Sequence, residues 1–296
     1  MVTKPNLRDP LTPNSSPGTL FVVGTPIGNL EDITFRALRT LKEVDLIACE
    51  DTRRTQKLLN HYAIQTRTIS YHEHNEMTRA PELIIQMEEG GHIALVSDAG
   101  MPVISDPGFR LVHLAIRHNI PVVPVPGASA LVAALAAAGL PVDKFRFLGF
   151  LPSRKPARQK ALEELKGASK TLIFYESPYR LIDMLDDVRK ILGDRPTVVA
   201  REVTKVHEEF LRGSVSEVLD RLRKKPVKGE VTVLVGPHSV RENNSSAGRS
   251  IREELEQVMA DQGLNVRGAL KVVARTRGLS KSEAYRQWQM EKNLGD

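Results

Sequence analysis

Cysteine and aromatic residues are scarce in this sequence. One cysteine, Cys49, occurs in 296 residues, so no disulfide can form within the chain. A reducing cytoplasm is the simplest setting for such a composition. Cys49 closes the apolar run Leu46-Ile47-Ala48-Cys49 and reads as a small buried hydrophobe, not as a reactive thiol. Phe, Trp and Tyr together make up only 5% of the chain, so any core is built from aliphatic side chains. No sign of charge dominates: 42 Lys and Arg face 36 Asp and Glu, a net +6. That mild basic excess suits an anionic partner without requiring one. With 41% hydrophobic and 26% charged residues, a wholly disordered chain, a collagen-like fibre and a disulfide scaffold are all excluded. The first 17 residues are polar and proline-rich, lack the apolar core of a signal peptide, and read as a disordered tail. Residues 120–142 carry no charge, but their prolines and glycines break them into a strand, a turn and a short helix, so no membrane association is expected.

What is present is alternation. Apolar runs at 19–23, 45–49, 66–71, 92–96 and 121–125 predict strands, and amphipathic stretches at 34–43, 52–61, 80–89, 109–118 and 129–138 predict the helices between them. Continuous apolar strands separated by helices imply an α/β domain with a mainly parallel sheet, placed at 18–142. A second α/β domain is placed at 143–237, with strands at 147–151, 171–175, 197–200, 208–213 and 231–235 and helices at 157–166, 179–192 and 215–224. A linker at 238–248 and a small helical domain at 249–296 follow. Within the latter, 265–290 reads as helix, turn, helix; Ser280 and Glu283 have capping-box spacing, and Ala274 with Gly278 has the spacing of a helix-turn-helix.

In open α/β sheets ligands bind beyond the carboxyl ends of the strands. Those positions here hold Gly24-Thr25-Pro26-Ile27-Gly28, Glu50-Asp51-Thr52-Arg53-Arg54, His72-Glu73-His74-Asn75-Glu76, Ser97-Asp98-Ala99-Gly100-Met101-Pro102 with Ser105-Asp106-Pro107-Gly108, and Pro126-Gly127-Ala128-Ser129-Ala130. Ordinary turn composition accounts for Gly108 and Gly127. It does not account for the acids, arginines and histidines gathered on one sheet edge, and a ligand cleft is expected there. The chain has no G-x-x-x-x-G-K-[ST] loop, no G-x-G-x-x-G turn and no G-x-S-x-G elbow, which disfavours P-loop, dinucleotide and serine-hydrolase chemistry. His72 and His74 lack a third ligand at metal spacing, and no metal is expected.

Taken in order, these segments resemble the tetrapyrrole methylase family. Gly149-Phe150-Leu151-Pro152, Phe174-Tyr175-Glu176-Ser177-Pro178 and Ala200-Arg201-Glu202-Val203-Thr204-Lys205 extend the match into the second domain. The resemblance covers roughly residues 18–236. It is strongest to the branch that methylates a ribose 2′-oxygen of a decoding-centre cytidine in 16S rRNA. That branch usually carries Thr where this chain has Met101. The resemblance implies two α/β domains with S-adenosylmethionine in the cleft between them, a class III methyltransferase arrangement. It implies cofactor contacts from Pro26, from Ser97, Asp98, Ala99, Gly100, Met101 and Val103, and from Ser129 and Ala130. It also implies a homodimer that acts on 16S rRNA, within the small ribosomal subunit.

A ribose hydroxyl is a poor nucleophile, so a base or charge partner near the reacting oxygen would help. Asp51, His74 and Glu76 are the strand-end candidates, with Arg53 orienting a phosphate or a carboxylate; an internal ion pair of Arg53 with Glu50 or Glu76 is the competing reading. For RNA the strongest feature is Ser153-Arg154-Lys155-Pro156-Ala157-Arg158-Gln159-Lys160, in which Arg154, Lys155, Arg158 and Lys160 are positioned to neutralise phosphates. Lys205 and Glu208 are placed to face the cleft or to form a surface ion pair. Two other functions stay open: a methylase of the same scaffold acting on a tetrapyrrole or a protein, and a non-catalytic nucleic-acid-binding regulator.

Overall fold

The computed structural model describes residues 16–225, 227–237, 250–277 and 279–293. Residues 1–15 and 238–249, which include most of the expected tail and linker, lie outside the described residues. The first half runs β1 (Leu20–Val23), a 3-10 turn (Leu30–Asp32), α1 (Phe35–Glu43), β2 (Leu46–Cys49), α2 (Thr52–His61), β3 (Thr68–Ser70), α3 (Glu76–Glu88), β4 (Ile93–Val96), α4 (Phe109–Arg117), β5 (Val122–Val125) and α5 (Ala130–Ala138). Its five strands form one parallel sheet in the order β3-β2-β4-β1-β5. Every residue of β2 and β4 is buried, which is why both read as unbroken apolar runs. The chain winds outward to the edge at β3, returns through β4, and leaves for the opposite edge at β5. β4 and β1 are neighbours whose connections lead in opposite directions across the sheet, to β5 and to β2, and that switch point is where an open sheet opens a crevice.

Local chemistry sets the helix starts. Thr34 caps α1 by accepting a bond from the Ala37 amide, and Asp51 caps α2 by accepting from the Arg53 amide. α3 begins at Glu76, one turn before the expected start at residue 80. The Asn75 carbonyl accepts from the Thr78 and Arg79 amides, so a helical turn forms ahead of Pro81 and the ring sits inside the helix. Glu76 therefore opens a helix and does not trail a strand.

The second half runs β6 (Phe145–Phe150), α6 (Lys155–Glu163), β7 (Thr171–Glu176), α7 (Leu181–Leu192), β8 (Pro196–Arg201), β9 (Glu209–Ser214), α8 (Val215–Lys224) and β10 (Val231–Val235). Its sheet is mixed, in the order β6-β7-β10-β8-β9, with only the β6–β7 pair parallel. Aliphatic side chains of α6, α7 and α8, such as Leu162, Leu185 and Leu219, cover one face together with Phe174 and Val233. The other face receives α5: Ala134, Leu135 and Ala138 meet Ile173, Val198 and Leu234. The alanine-rich sequence of α5 follows from this position, since small side chains let a helix lie close against a sheet. The uncharged stretch 120–142 is thus β5 followed by α5, and none of the described helices is long and apolar enough to cross a membrane. Arg212 donates to the carbonyls of Ala137 (2.7 Å) and Ala138 (3.3 Å), satisfying the C-terminal end of α5 from β9.

Residues 1–238 form one unit and residues 239–296 another. Among its described residues the second unit, by itself, has three helices: α9 (Ile251–Gln262), α10 (Val266–Thr276) and α11 (Lys281–Asn293). They share a small core that includes Leu255, Leu270, Val273 and Ala284. Ser250 with Glu253 forms a capping box on α9. Ser280 and Glu283 bond reciprocally at the start of α11, as their spacing predicts.

Candidate active site

Three loops of the first sheet converge beyond its strand ends. The loop after β1 and the loop after β4 are joined by a backbone bridge, in which the Thr25 amide donates to the Gly100 carbonyl (2.9 Å) and the Gly100 amide to the Thr25 carbonyl (3.1 Å). The Thr25 hydroxyl donates further to the Ser97 carbonyl at 3.3 Å. The loop after β5 closes against the first: a Cβ on Gly24 would stand 2.7 Å from the Gly127 Cα, so only glycine permits this approach. The loop after β4 is held in an unusual shape, with Gly100, Val103 and Ser105 at φ +83°, +75° and +64°. A β-branched residue at positive φ is rare, and such outliers cluster at ligand sites.

The second sheet supplies the opposite wall. A cavity of about 400 Å³ lies between the two, within the range of small-molecule sites. Ile27, Ile104, Phe150, Val203 and Val231 give it apolar surface. Gly100, Ser129, Ala130 and Gly229 leave backbone accessible. Tyr175 reaches across it, and its hydroxyl accepts a bond from the Leu131 amide in the first turn of α5 (3.2 Å). At one edge the halves are strapped together. The Asn29 amide donates to the Thr204 hydroxyl at 3.3 Å, and the Lys205 stem lies against Gly28, where a Cβ would stand 2.3 Å from the lysine chain.

Of the residues considered for the cofactor, Ala99, Gly100, Met101, Ser129 and Ala130 line this cavity. Pro26, Ser97, Asp98 and Val103 do not. Ser97 is buried and its hydroxyl donates to the Ala99 carbonyl (3.3 Å), shaping the loop from behind. Asp98 turns toward α2, accepting from the Asp51 amide (3.1 Å) and pairing with Arg54 (3.1 Å). Val103 packs into the core of the first half.

None of the four residues considered for catalysis lines the cavity. Asp51 caps α2 and also receives the Arg53 guanidinium at 3.2 and 3.0 Å. Arg53, through its guanidinium first and its backbone amide second, holds that carboxyl down at about 2. Arg53 is 87% exposed and pairs with Asp51, not with Glu50 or Glu76 as the ion-pair reading supposed. Glu76 stands beside the Tyr71 phenol, which burial first and that carboxylate second push up to about 12. His74 is exposed and lies edge-on to His72, with ring centres 5.9 Å apart. No group of three His, Cys, Asp or Glu suited to a metal occurs among the described residues.

In the basic run, Arg154 and Lys155 at the start of α6 and Lys160 in its last turn are exposed. Arg158 is not, which corrects the expectation that it meets phosphate. It is buried, with its guanidinium 2.7 Å from Asp187 on α7, because the first turns of α6 rotate this one position of the run inward. Lys205 is engaged by Glu202 (2.9 Å) and Glu230 (3.1 Å).

Most of the cavity lining was not among the candidate site residues, and two of its polar members, Tyr175 and Asp106, show why. Tyr175 ends a strand of the second sheet, whose strand ends were not scanned for ligand groups. Asp106 stands in Ser105-Asp106-Pro107-Gly108, whose composition signals a turn and hides its carboxylate. Burial first, then Glu50 and Asp98, push Asp106 up to about 6, against a hydrogen bond from Ser97. The wall suits S-adenosylmethionine in kind. The apolar surfaces match a purine, the N-terminal end of α5 at Ser129 and Ala130 matches a carboxylate, and the acidic side chains match cationic groups.

Comparison with known proteins accords with this geometry. The sequence profile of the tetrapyrrole (corrin/porphyrin) methylases matches residues 19–219. A ribosomal RNA small subunit methyltransferase I of Halalkalibacterium halodurans is 50% identical over 277 residues, covering 93% of this chain and 96% of the relative. Its namesake in Thermotoga maritima is 52% identical over 218 residues, covering 74% of this chain and 98% of the relative. Among solved structures, a cobalt precorrin-4 methyltransferase of cobalamin biosynthesis aligns over 76% of this chain and 98% of its own, at a TM-score of 0.58 and 20% identity. The uroporphyrin-III C-methyltransferase of Thermus thermophilus aligns over 74% and 94%, at a TM-score of 0.52 and 20% identity. At that identity the structures speak to the fold alone. With a matching profile over most of its length, a relative at half identity along nearly the whole chain, and two sheets enclosing a cleft, this chain belongs to the tetrapyrrole methylase family.

Proposed function

We propose that this protein is an S-adenosylmethionine-dependent methyltransferase that methylates the ribose 2′-oxygen of a decoding-centre cytidine in 16S rRNA. The observation that carries the reading is the cleft of about 400 Å³ between the two sheets, lined by Ala99, Gly100, Met101, Ser129 and Ala130, in a chain half identical to rRNA small subunit methyltransferases. The cofactor supplies an electrophilic methyl group when bound. The chain's part is placement. The Thr25–Gly100 bridge fixes the loop that presents Ala99 to Met101, and α5 brings Ser129 and Ala130 to the same wall. Much of the acceleration of such a transfer comes from holding the acceptor oxygen in line.

Arg154, Lys155 and Lys160 are the phosphate contacts of this reading, exposed just after the strand that ends in Phe150 at the cavity wall. Arg53, exposed at the start of α2, is a further phosphate contact. Asp51 and Glu76, at the starts of α2 and α3, and His74, in the loop before α3, are the base candidates beyond the strand ends of the first sheet, where a docked nucleotide would meet them. The protein works in the cytoplasm as a homodimer on the small subunit. Exposed Ile85, Phe109 and Ile116 on the adjoining helices α3 and α4 support a second copy, which sedimentation would detect.

The test is incubation with tritiated cofactor and undermethylated small ribosomal subunits, followed by nuclease digestion and mass spectrometry. A 2′-O-methylcytidine from the decoding region is expected. Label on another nucleotide, or on a tetrapyrrole instead, overturns the acceptor; an unlabelled subunit with no cofactor bound overturns the methylase reading itself.

A further inference from the structure

The cavity wall carries three carboxylates. They are Asp106, Glu176 and Glu230, and among the described residues no Lys, Arg or His lines the cavity. Two of these carboxylates are neutralised from behind. Glu176 pairs with Arg180 at 2.6 Å and accepts the Ser177 amide at 2.7 Å. Glu230 pairs with Lys205 at 3.1 Å. Asp106 has a hydroxyl partner, Ser97, and no ion pair is found for it among the described residues. The groups that face it have its own sign or none: Glu50 from the end of β2, Asp98 from the end of β4, and the Tyr175 phenol from β7. The nearby cations serve others. Arg54 is committed to Asp98 at 3.1 Å, and His72 lies beside Glu50.

A carboxylate held in this setting lacks a positive charge, and the ligand must bring it. The surrounding wall is apolar, with Ile27, Ile104 and Phe150, so the charge it suits is one that donates no hydrogen bonds and tolerates loss of water. A sulfonium has that chemistry; an ammonium, which needs acceptors on each proton, does not. We propose that Asp106 is the counter-charge of the sulfonium in this cavity and sets its preference for the methyl donor over the demethylated thioether product. This rests on the methyltransferase reading and adds to it a specificity-determining residue. Because the positive charge disappears when the methyl group leaves, Asp106 favours the bound donor and weakens hold on the product. It is not a base and takes no proton from the acceptor.

The test is calorimetric titration of the wild-type protein with S-adenosylmethionine and, separately, S-adenosylhomocysteine, between about pH 5 and 7. The donor is expected to bind more tightly than the thioether at neutral pH. That ratio falls as pH drops and Asp106 takes up a proton, because the charge partner is lost. In Asp106→Asn the donor weakens about tenfold, the equivalent of one unit of differential charge interaction, while the thioether is little changed and the ratio loses its pH dependence. Asp106→Glu recovers part of the preference. A wild-type ratio that is flat with pH overturns the proposal without reference to any variant, as does an equal loss for both ligands in Asp106→Asn. Failure of the wild type to bind either ligand overturns the methyltransferase reading along with it. Binding of both with no preference removes only the role of Asp106.

Discussion

The guanidinium of Arg158 and the carboxylate of Asp187 meet at 2.7 Å, each side chain only 4% exposed, and so pin α6 to α7. Gln159 donates to the other oxygen of the same carboxylate, also at 2.7 Å. Arg158→Ala is expected to cost about 3–5 kcal/mol, because it leaves Asp187 buried and uncompensated. Urea unfolding measures this. Unchanged stability would mean that the pair is solvated.

Its exposed neighbours should behave in the opposite way. Arg154→Ala and Lys155→Ala leave stability alone and weaken rRNA binding, each lowering the slope of log affinity against log salt by about 1. A salt series with a decoding-region RNA fragment or intact subunits reads this directly. An unaltered slope removes these residues from the interface.

Gly100 is the hinge of the bridged loop. With φ at +83° and a Cβ position 3.3 Å from Ile27, Gly100→Ala both strains the backbone and crowds the cavity wall. The expected loss is about 1–2 kcal/mol from the left-handed conformation alone. Cofactor affinity should fall with it, since the displaced Ile27 also lines the cavity. Denaturant unfolding and calorimetry together check both effects.

Asp106 carries a stability cost in the ligand-free protein. Its folded value, about 6, lies above that of an unfolded aspartate. The fold therefore binds the proton more tightly, and wild-type stability declines as pH rises between those two values, then levels off. Asp106→Asn removes this dependence. It is expected to be more stable than wild type above neutral pH by about 1 kcal/mol, after discounting for solvent screening. The advantage shrinks as pH falls through about 6 toward 4. Thermal scans of the ligand-free proteins across that range test it. A variant less stable at every pH would contradict the cause assigned here.

The helices α9 to α11 form their own unit with their own core, and the Thermotoga maritima relative spans 98% of its length against only 74% of this chain. Removal of residues 239–296 is expected to leave cofactor binding unchanged. Loss of cofactor binding on truncation would show that the first unit needs the second.

Much of the architecture was written in local pattern. Unbroken apolar runs at β2 and β4, capping residues at Thr34 and Asp51, and the alanine-rich α5 all follow from short-range chemistry, and with them the two α/β halves and the helical end. The strand-end rule pointed to the right edge of the first sheet for a cavity. Side-chain direction was decided elsewhere. Arg158 and Lys155 stand in one basic run, yet one helical turn buries the first against Asp187 and leaves the second in water. Asp51 looks like a free acid in the sequence, but in the fold it is a helix cap holding Arg53. Asp106 looks like a turn residue, but the fold of its loop makes it the cavity's uncompensated carboxylate. Periodicity and caps depend on neighbours a few residues away, so the chain alone determines them. Which charges find partners depends on groups brought together from β2, β4 and β7, and only the tertiary structure decides that.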